Sequence, residues 1–176
     1  MSKTTKASKH EHNVMQKVFI EKVVLSCGGT KDDLTKAKKL LEFITKRKAQ
    51  IVASQKRIPD FGVSPGLEVG AVVTLRGEEA TRILKQLLGG VDNTIKEKQV
   101  AENHLSFGIK EYIEVPGLAY QREIGIRGLN VTIVFARKGL RVKRKKIKRG
   151  KVPARQHVKE EEIIAFMKEN FQTGVM

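Results

Sequence analysis

Residues 50–77 read QIVASQKRI, PDFGVSPGLE and VGAVVTLRG in succession, which is two strands around a loop. The second strand alternates. Val69, Ala71, Val73 and Leu75 fall on one face and Gly70, Val72, Thr74 and Arg76 on the other, because strand side chains alternate with period two. One face is therefore core and the other largely polar. In the loop, Pro59 and Pro65 fix φ and lack an N–H, while Gly62 and Gly66 tolerate positive φ, so the strands need no tight turn. The expected result is a long projecting hairpin loop, with Phe61 exposed or half-docked on it.

The same alternation recurs on both sides of this hairpin. Over Lys17–Cys27, Phe19, Val23, Leu25 and Cys27 form an apolar side interrupted by Glu21, opposite Ile20, Lys22, Val24 and Ser26. Leu105, Phe107 and Ile109 make a short strand. Over Gly128–Ala136, Leu129, Val131, Ile133 and Phe135 face Asn130, Thr132, Val134 and Ala136 across the clearest strand of all. Three helices complete the pattern. After the Gly28-Gly29 turn, Thr30 is expected to cap a helix with Asp33 in the capping-box position, and Leu34, Ala37, Leu40, Leu41 and Ile44 form its stripe. Glu78–Leu88 presents Ala80, Ile83, Leu84, Leu87 and Leu88. The acidic start Glu160–Glu162 suits a helix N-terminus, and Ile163, Ile164, Met167 and Phe171 supply its stripe. Val91–Asn103 is polar and weakly patterned, and Tyr112–Arg127 is an irregular connection.

Strands with one apolar side and helices with one apolar stripe predict an α+β fold, an antiparallel or mixed sheet with helices packed on one face. The other face stays open and polar. Lys22, Ser26, Thr74, Arg76, Ser106, Lys110, Asn130 and Thr132 lie on it, with almost no large hydrophobe expected. At 176 residues the chain reads as a flexible basic tail, 1–16, and a single domain, 17–176.

Lys+Arg number 35 against 19 Asp+Glu, a formal charge of +16, which calls for a polyanionic partner. The excess is local. Residues 124–159 contain no acid and thirteen bases; setting these aside leaves 22 bases against 19 acids. The densest part, Arg137, Lys138, Arg141, Lys143, Arg144, Lys145, Lys146, Lys148, Arg149 and Lys151, lies between a strand and a helix. A run held at both ends favours nucleic acid over a solvated tail, and no amphipathic apolar face accompanies it to suggest a membrane. Zinc-ligand spacing, a zipper-linked basic region and a helix-turn-helix pattern are all missing, so RNA is preferred to DNA.

Other chemistry finds little support. Gly28-Gly29 lacks the phosphate-loop patterns, the four histidines have no metal spacing outside the tail, and no carboxylate pair or nucleophilic set stands out. Neither a metal, a cofactor nor a small-molecule substrate is expected. Cys27, the single cysteine, falls on the apolar side of its strand and reads as core; a lone cysteine and a polar start point to a soluble cytoplasmic protein. Without tryptophan, and with Phe61 isolated, an aromatic stacking sheet is not indicated.

Taken in order, the motifs EKVVLSCGG, QKRIPDFGV with VGAVVTLRG, LSFGIKEYIEVPG, Tyr120 leading into EIGIRGLNV, and the basic run closing on KVPARQHV resemble a known family from about Glu21 to Phe171. It is the universal large-five family of large-subunit ribosomal proteins, in its archaeal and eukaryotic form. The resemblance implies a non-enzymatic, ribosome-bound protein that binds 5S rRNA in the central protuberance beside other 5S-binding ribosomal proteins. It also implies contact with P-site tRNA and an intersubunit bridge to a head protein of the small subunit. By resemblance, Ser26, Phe61 and Thr74 touch RNA, with Arg57 and Arg76 as phosphate neighbours; Lys56 is counted with the RNA-binding residues, and the basic run, which bacterial members lack, is assigned to large-subunit rRNA on its charge. Many members carry Asn or His at Ser26, and a Thr-Gly-Gln turn where this chain has Thr45-Lys46-Arg47, so Arg47 takes over a phosphate contact. The tRNA-facing loop would comprise Pro59, Asp60, Phe61, Gly62, Val63, Ser64, Pro65 and Gly66, to Glu68; Tyr112–Arg127 would face the small subunit. The alternative is a general RNA-binding or RNA-chaperone protein without 5S specificity.

Overall fold

The computed structural model describes residues 13–176; most of the expected tail, residues 1–12, lies outside the described residues. Strands β1 (Val18–Gly28), β2 (Gln50–Ala53), β3 (Glu68–Leu75), β5 (Val100–Ala101), β6 (His104–Ile109) and β7 (Leu129–Arg137) form one sheet in the order β2-β3-β1-β7-β6-β5. Every pairing in it is antiparallel. A second sheet, two residues long on each side, pairs β4 (Thr94–Ile95) with β8 (Gly174–Val175) in parallel.

Helices α1 (Asp32–Thr45), α2 (Glu78–Gly89) and α4 (Glu160–Phe171) place their apolar stripes in one continuous core with Val23, Leu25, Val73, Leu75, Leu105, Val131 and Ile133. All of these strand residues share one side of the sheet, so the helices cover that side alone. Each large aliphatic side chain moved from water into this core contributes about 1.5–3 kcal/mol, which is why the period-two and period-3.6 patterns agree on one interior.

Several local expectations are corrected. Phe19 is 40 % exposed, whereas Val18 and Ile20 pack on the core. The cause is a β-bulge: Ile20 pairs with Phe135 and Lys22 with Val134, leaving Glu21 as the extra residue that flips the parity of everything before it. Thr30 makes no side-chain cap on α1; Lys31 occupies the N-cap with φ 49°. Strand β2 stops at Ala53 instead of Ile58, so the excursion is longer than the motif boundaries suggest. The polar segment 91–103 holds both β4 and β5, too short for any period to register. Phe166, absent from the expected stripe, stacks edge-on against Phe135 at 5.6 Å. Ala136 lies on the outer side of β7 but is buried, because the basic segment folds back over that corner.

Candidate nucleic-acid interface

Strand register builds the outer face of the sheet row by row. Gln50, Val72, Ser26, Asn130 and Gly108 are successive partners across five strands, and Thr74, Val24, Thr132 and Ser106 form the next row. Ser26 and Thr74 therefore share the helix-free face, one row apart. The Ser106 and Thr132 hydroxyls are 3.1 Å apart, Thr74 and Asn130 are exposed, and Ser26 is half-buried. Hydroxyls and amides at regular spacing suit sugar and phosphate oxygens. The expectation of almost no hydrophobe here is corrected: half-buried Val24, Val72 and Val134 run through the middle of the face. Gln50 joins this face unannounced by the sequence, since only the β2–β3 register aligns it with Ser26.

The excursion from Ser54 to Leu67 is an ordered loop. Ser54 N–H donates to the Leu67 carbonyl at 2.8 Å, and Ile58 and Val63 exchange two backbone bonds of 2.9 and 3.0 Å. Within that closure Pro59–Phe61 makes one 3₁₀ turn, ended by Gly62 at φ 62°, a left-handed position where any side chain would be strained. Val63 is buried while Phe61 is 78 % exposed at the tip. Pro59, Asp60, Ser64, Pro65 and Gly66 are exposed as well, as are Lys56, Arg57 and, at the end of β3, Arg76.

The basic run is also closed, partly by its own bonds and partly from outside. It comprises the short helix α3 (Arg141–Arg144) and a return to Val158. Asn103 secures the base of this loop: its N–H donates to the Val158 carbonyl, its carbonyl accepts from Phe135, and its Oδ1 accepts from Val158 N–H at 2.8 Å. The Gln156 amide donates to the Lys138 carbonyl at 2.9 Å, and His157 meets Glu102 at 2.8 Å. Lys138, Arg141, Lys143, Lys145, Lys146, Lys148, Arg149 and Lys151 are exposed, with Ile147 77 % exposed among them.

Two of the run's arginines pair with carboxylates of the chain, Arg137 nearly buried and Arg144 exposed. The Arg137 guanidinium, 13 % exposed, donates to both Glu162 oxygens at 2.5 Å, and Glu162 in turn accepts from Lys159 N–H at the start of α4. Arg144 pairs with Glu21, the bulged residue of β1. Arg47, assigned to a phosphate by resemblance, pairs with Glu79 of α2 and is half exposed. None of these pairings was legible beforehand except through Glu21, whose break in the apolar alternation marks the bulge. Arg127 bonds Asp33 at 2.5 Å and so ties the irregular connection to α1. The neighbouring Gly128 admits no side chain, since a Cβ would fall 2.6 Å from the Lys110 carbonyl oxygen.

Cys27 is buried, and its thiol donates to the Gly128 carbonyl at 3.2 Å. Burial pushes its pKa up, with Arg127 pulling in the opposite direction, so it is a poor nucleophile. Among the described residues, no three His, Cys, Asp or Glu side chains gather into a metal site, and no helix is long and apolar enough to cross a membrane.

Two family models cover almost the whole described chain: Ribosomal protein L5 over residues 13–63 and the C-terminus of the same ribosomal family over residues 68–166. The chain belongs to the ribosomal protein L5 family. It is 39 % identical to the large ribosomal subunit protein uL5 of Methanosphaera stadtmanae, over 93 % of this chain and 99 % of that one. The uL5 proteins of Nanoarchaeum equitans (41 %, over 92 % and 98 %) and Sulfolobus acidocaldarius (36 %, over 94 % and 95 %) are similar over the same extent. As a member of the L5 family it is a structural, non-enzymatic constituent of the large ribosomal subunit and works on the cytoplasmic ribosome.

Proposed function

We propose that the helix-free sheet face and its flanking loops hold 5S rRNA in the central protuberance, while the basic loop neutralises phosphates of neighbouring rRNA. One observation carries this reading: strand register sets Gln50, Ser26 and Asn130 in one row and Thr74, Thr132 and Ser106 in the next. Hydroxyl and amide groups there fix register on the RNA, and the lysines and arginines of 138–151 supply affinity with little sequence discrimination. The loop 59–68 reaches P-site tRNA with Phe61 leading. Segment 112–127, with Ile113, Tyr120 and Ile126 at 39, 56 and 67 % exposure, meets the head protein of the small subunit, since exposed hydrophobes suit a protein partner.

The test is binding to purified 5S rRNA and to an unrelated RNA of equal length across a salt series. Retention of 5S at salt that releases the other RNA supports the reading. Coincident curves leave charge as the whole explanation and favour a general RNA-binding protein, the reading to which the basic loop alone would lead. The double variant Ser26→Ala, Thr74→Val is expected to weaken 5S binding selectively; unchanged 5S affinity would remove the sheet face from the interface.

A further inference from the structure

Beneath the basic loop lies a concavity of about 520 Å³, within the roughly 300–1,000 Å³ range of small-molecule pockets. Its floor is apolar, from Val134, Ala136, Leu140 and Val152, and its rim is cationic, from Lys143, Arg144 and Arg149. Arg137 lines it too. That guanidinium is spent on Glu162. An apolar floor and a cationic rim together describe a ligand with a flat, weakly polar body and a negative charge. Neither a phosphate alone nor an apolar peptide has both.

We propose that this pocket takes one unpaired nucleotide of an rRNA, with the base against Val134, Ala136 and Leu140 and its phosphate on the rim of Lys143, Arg144 and Arg149. The proposal rests on the reading of this chain as an rRNA-binding protein and adds a base-sized recess to it. Arginine planes are sequence-tolerant stacking partners for unstacked bases, which makes up for the lack of a tryptophan or tyrosine at the site. Glu21 and Arg144 both line this pocket and the shallower recess beside it, and their pair stands where an incoming phosphate would compete for the arginine. Occupancy therefore exchanges a carboxylate for a phosphate on Arg144.

The experiment uses the full chain in two arms. In the first, the four nucleoside 5′-monophosphates and inorganic phosphate are titrated separately into isotope-labelled protein. Saturable shifts of the Ala136, Leu140 and Val152 amides with the monophosphates and not with phosphate support the pocket; equal shifts with phosphate, or none, overturn it. In the second, Val152→Phe fills the recess from the loop side, with thermal unfolding as the check on folding. Its affinity for large-subunit rRNA is expected to fall about tenfold, the order of one stacked base, with an unchanged salt slope. Monophosphate binding with undiminished rRNA affinity would assign the pocket to free nucleotides and overturn the RNA occupant. If wild-type protein binds no rRNA at all, the proposed function fails instead, and the monophosphate arm still decides the pocket.

Discussion

Two excursions leave the sheet, and each ends on an exposed hydrophobe, Phe61 at 78 % and Ile147 at 77 % exposure. They are held differently. The loop 54–67 carries its own closure in the Ile58–Val63 bridge and the buried Val63. The basic loop has internal bonds, Gly150 N–H to the Val142 carbonyl and Gln156 to the Lys138 carbonyl, but draws its counter-charges and its base from elsewhere: Glu21 for Arg144, Glu162 for Arg137, Glu102 for His157 and Asn103 for Val158. Charge explains the difference. A segment without acids repels itself and has to borrow its counter-charges, whereas a nearly neutral loop can close on its own backbone. A loop of the first kind is well suited to a polyanion, because the borrowed carboxylates can be exchanged for phosphates.

The largest expected effect separates the loops by charge. Replacing Lys143, Arg144, Lys145 and Lys146 with Ser should lower rRNA affinity by about a hundredfold at moderate salt and flatten the salt dependence by about one unit or less per lost phosphate contact. An unchanged slope in filter binding would remove the basic loop from the interface. Next comes the borrowed counter-charge. Arg137→Met leaves Glu162 without its partner and should cost about 2–3 kcal/mol in denaturant unfolding, somewhat below a fully buried pair because Glu162 is 41 % exposed. A loss under 0.5 kcal/mol would mean that the loop does not depend on that anchor.

A smaller effect tests self-closure. Val63→Ala should cost about 1 kcal/mol and raise amide exchange across residues 58–63, while Phe61→Ala should leave stability within about 0.5 kcal/mol. The reverse order would show that the tip, and not Val63, holds the loop. The smallest concerns a surface pair outside both loops. Lys39 bonds Glu123 at 2.7 Å and holds its carboxyl below the ordinary glutamate range. A depressed folded pKa stabilises above the ordinary value and loses that contribution as pH falls through the depressed one, so Glu123→Gln should matter only slightly at neutral pH and not at all in acid. A clear destabilisation in acid would contradict the assignment.

Much of this was readable from residues alone. The inward positions of β3, β6 and β7 and the stripes of α1 and α2 follow from periods of 2.0 and 3.6, because a single hydrophobic interior rewards those spacings everywhere. Ser26 and Thr74 were legible as neighbours on one face for the same reason. Phe19 was not, since a one-residue bulge reverses parity without altering composition, and only Glu21 hinted at it. Arg137 and Arg47 were counted with the exposed bases because charge in a sequence carries no partner.

Periodicity, charge distribution and ordered motifs thus determined the fold class, the polar face and the family from local spacing, which the backbone geometry of strands and helices converts directly into sidedness. The tertiary structure alone decided which bases are spent internally, how Gln50 aligns with Ser26, and that a recess opens beneath the basic loop. Those features depend on contacts between residues far apart in the chain, such as Glu21 with Arg144 and Arg137 with Glu162, for which no local period exists.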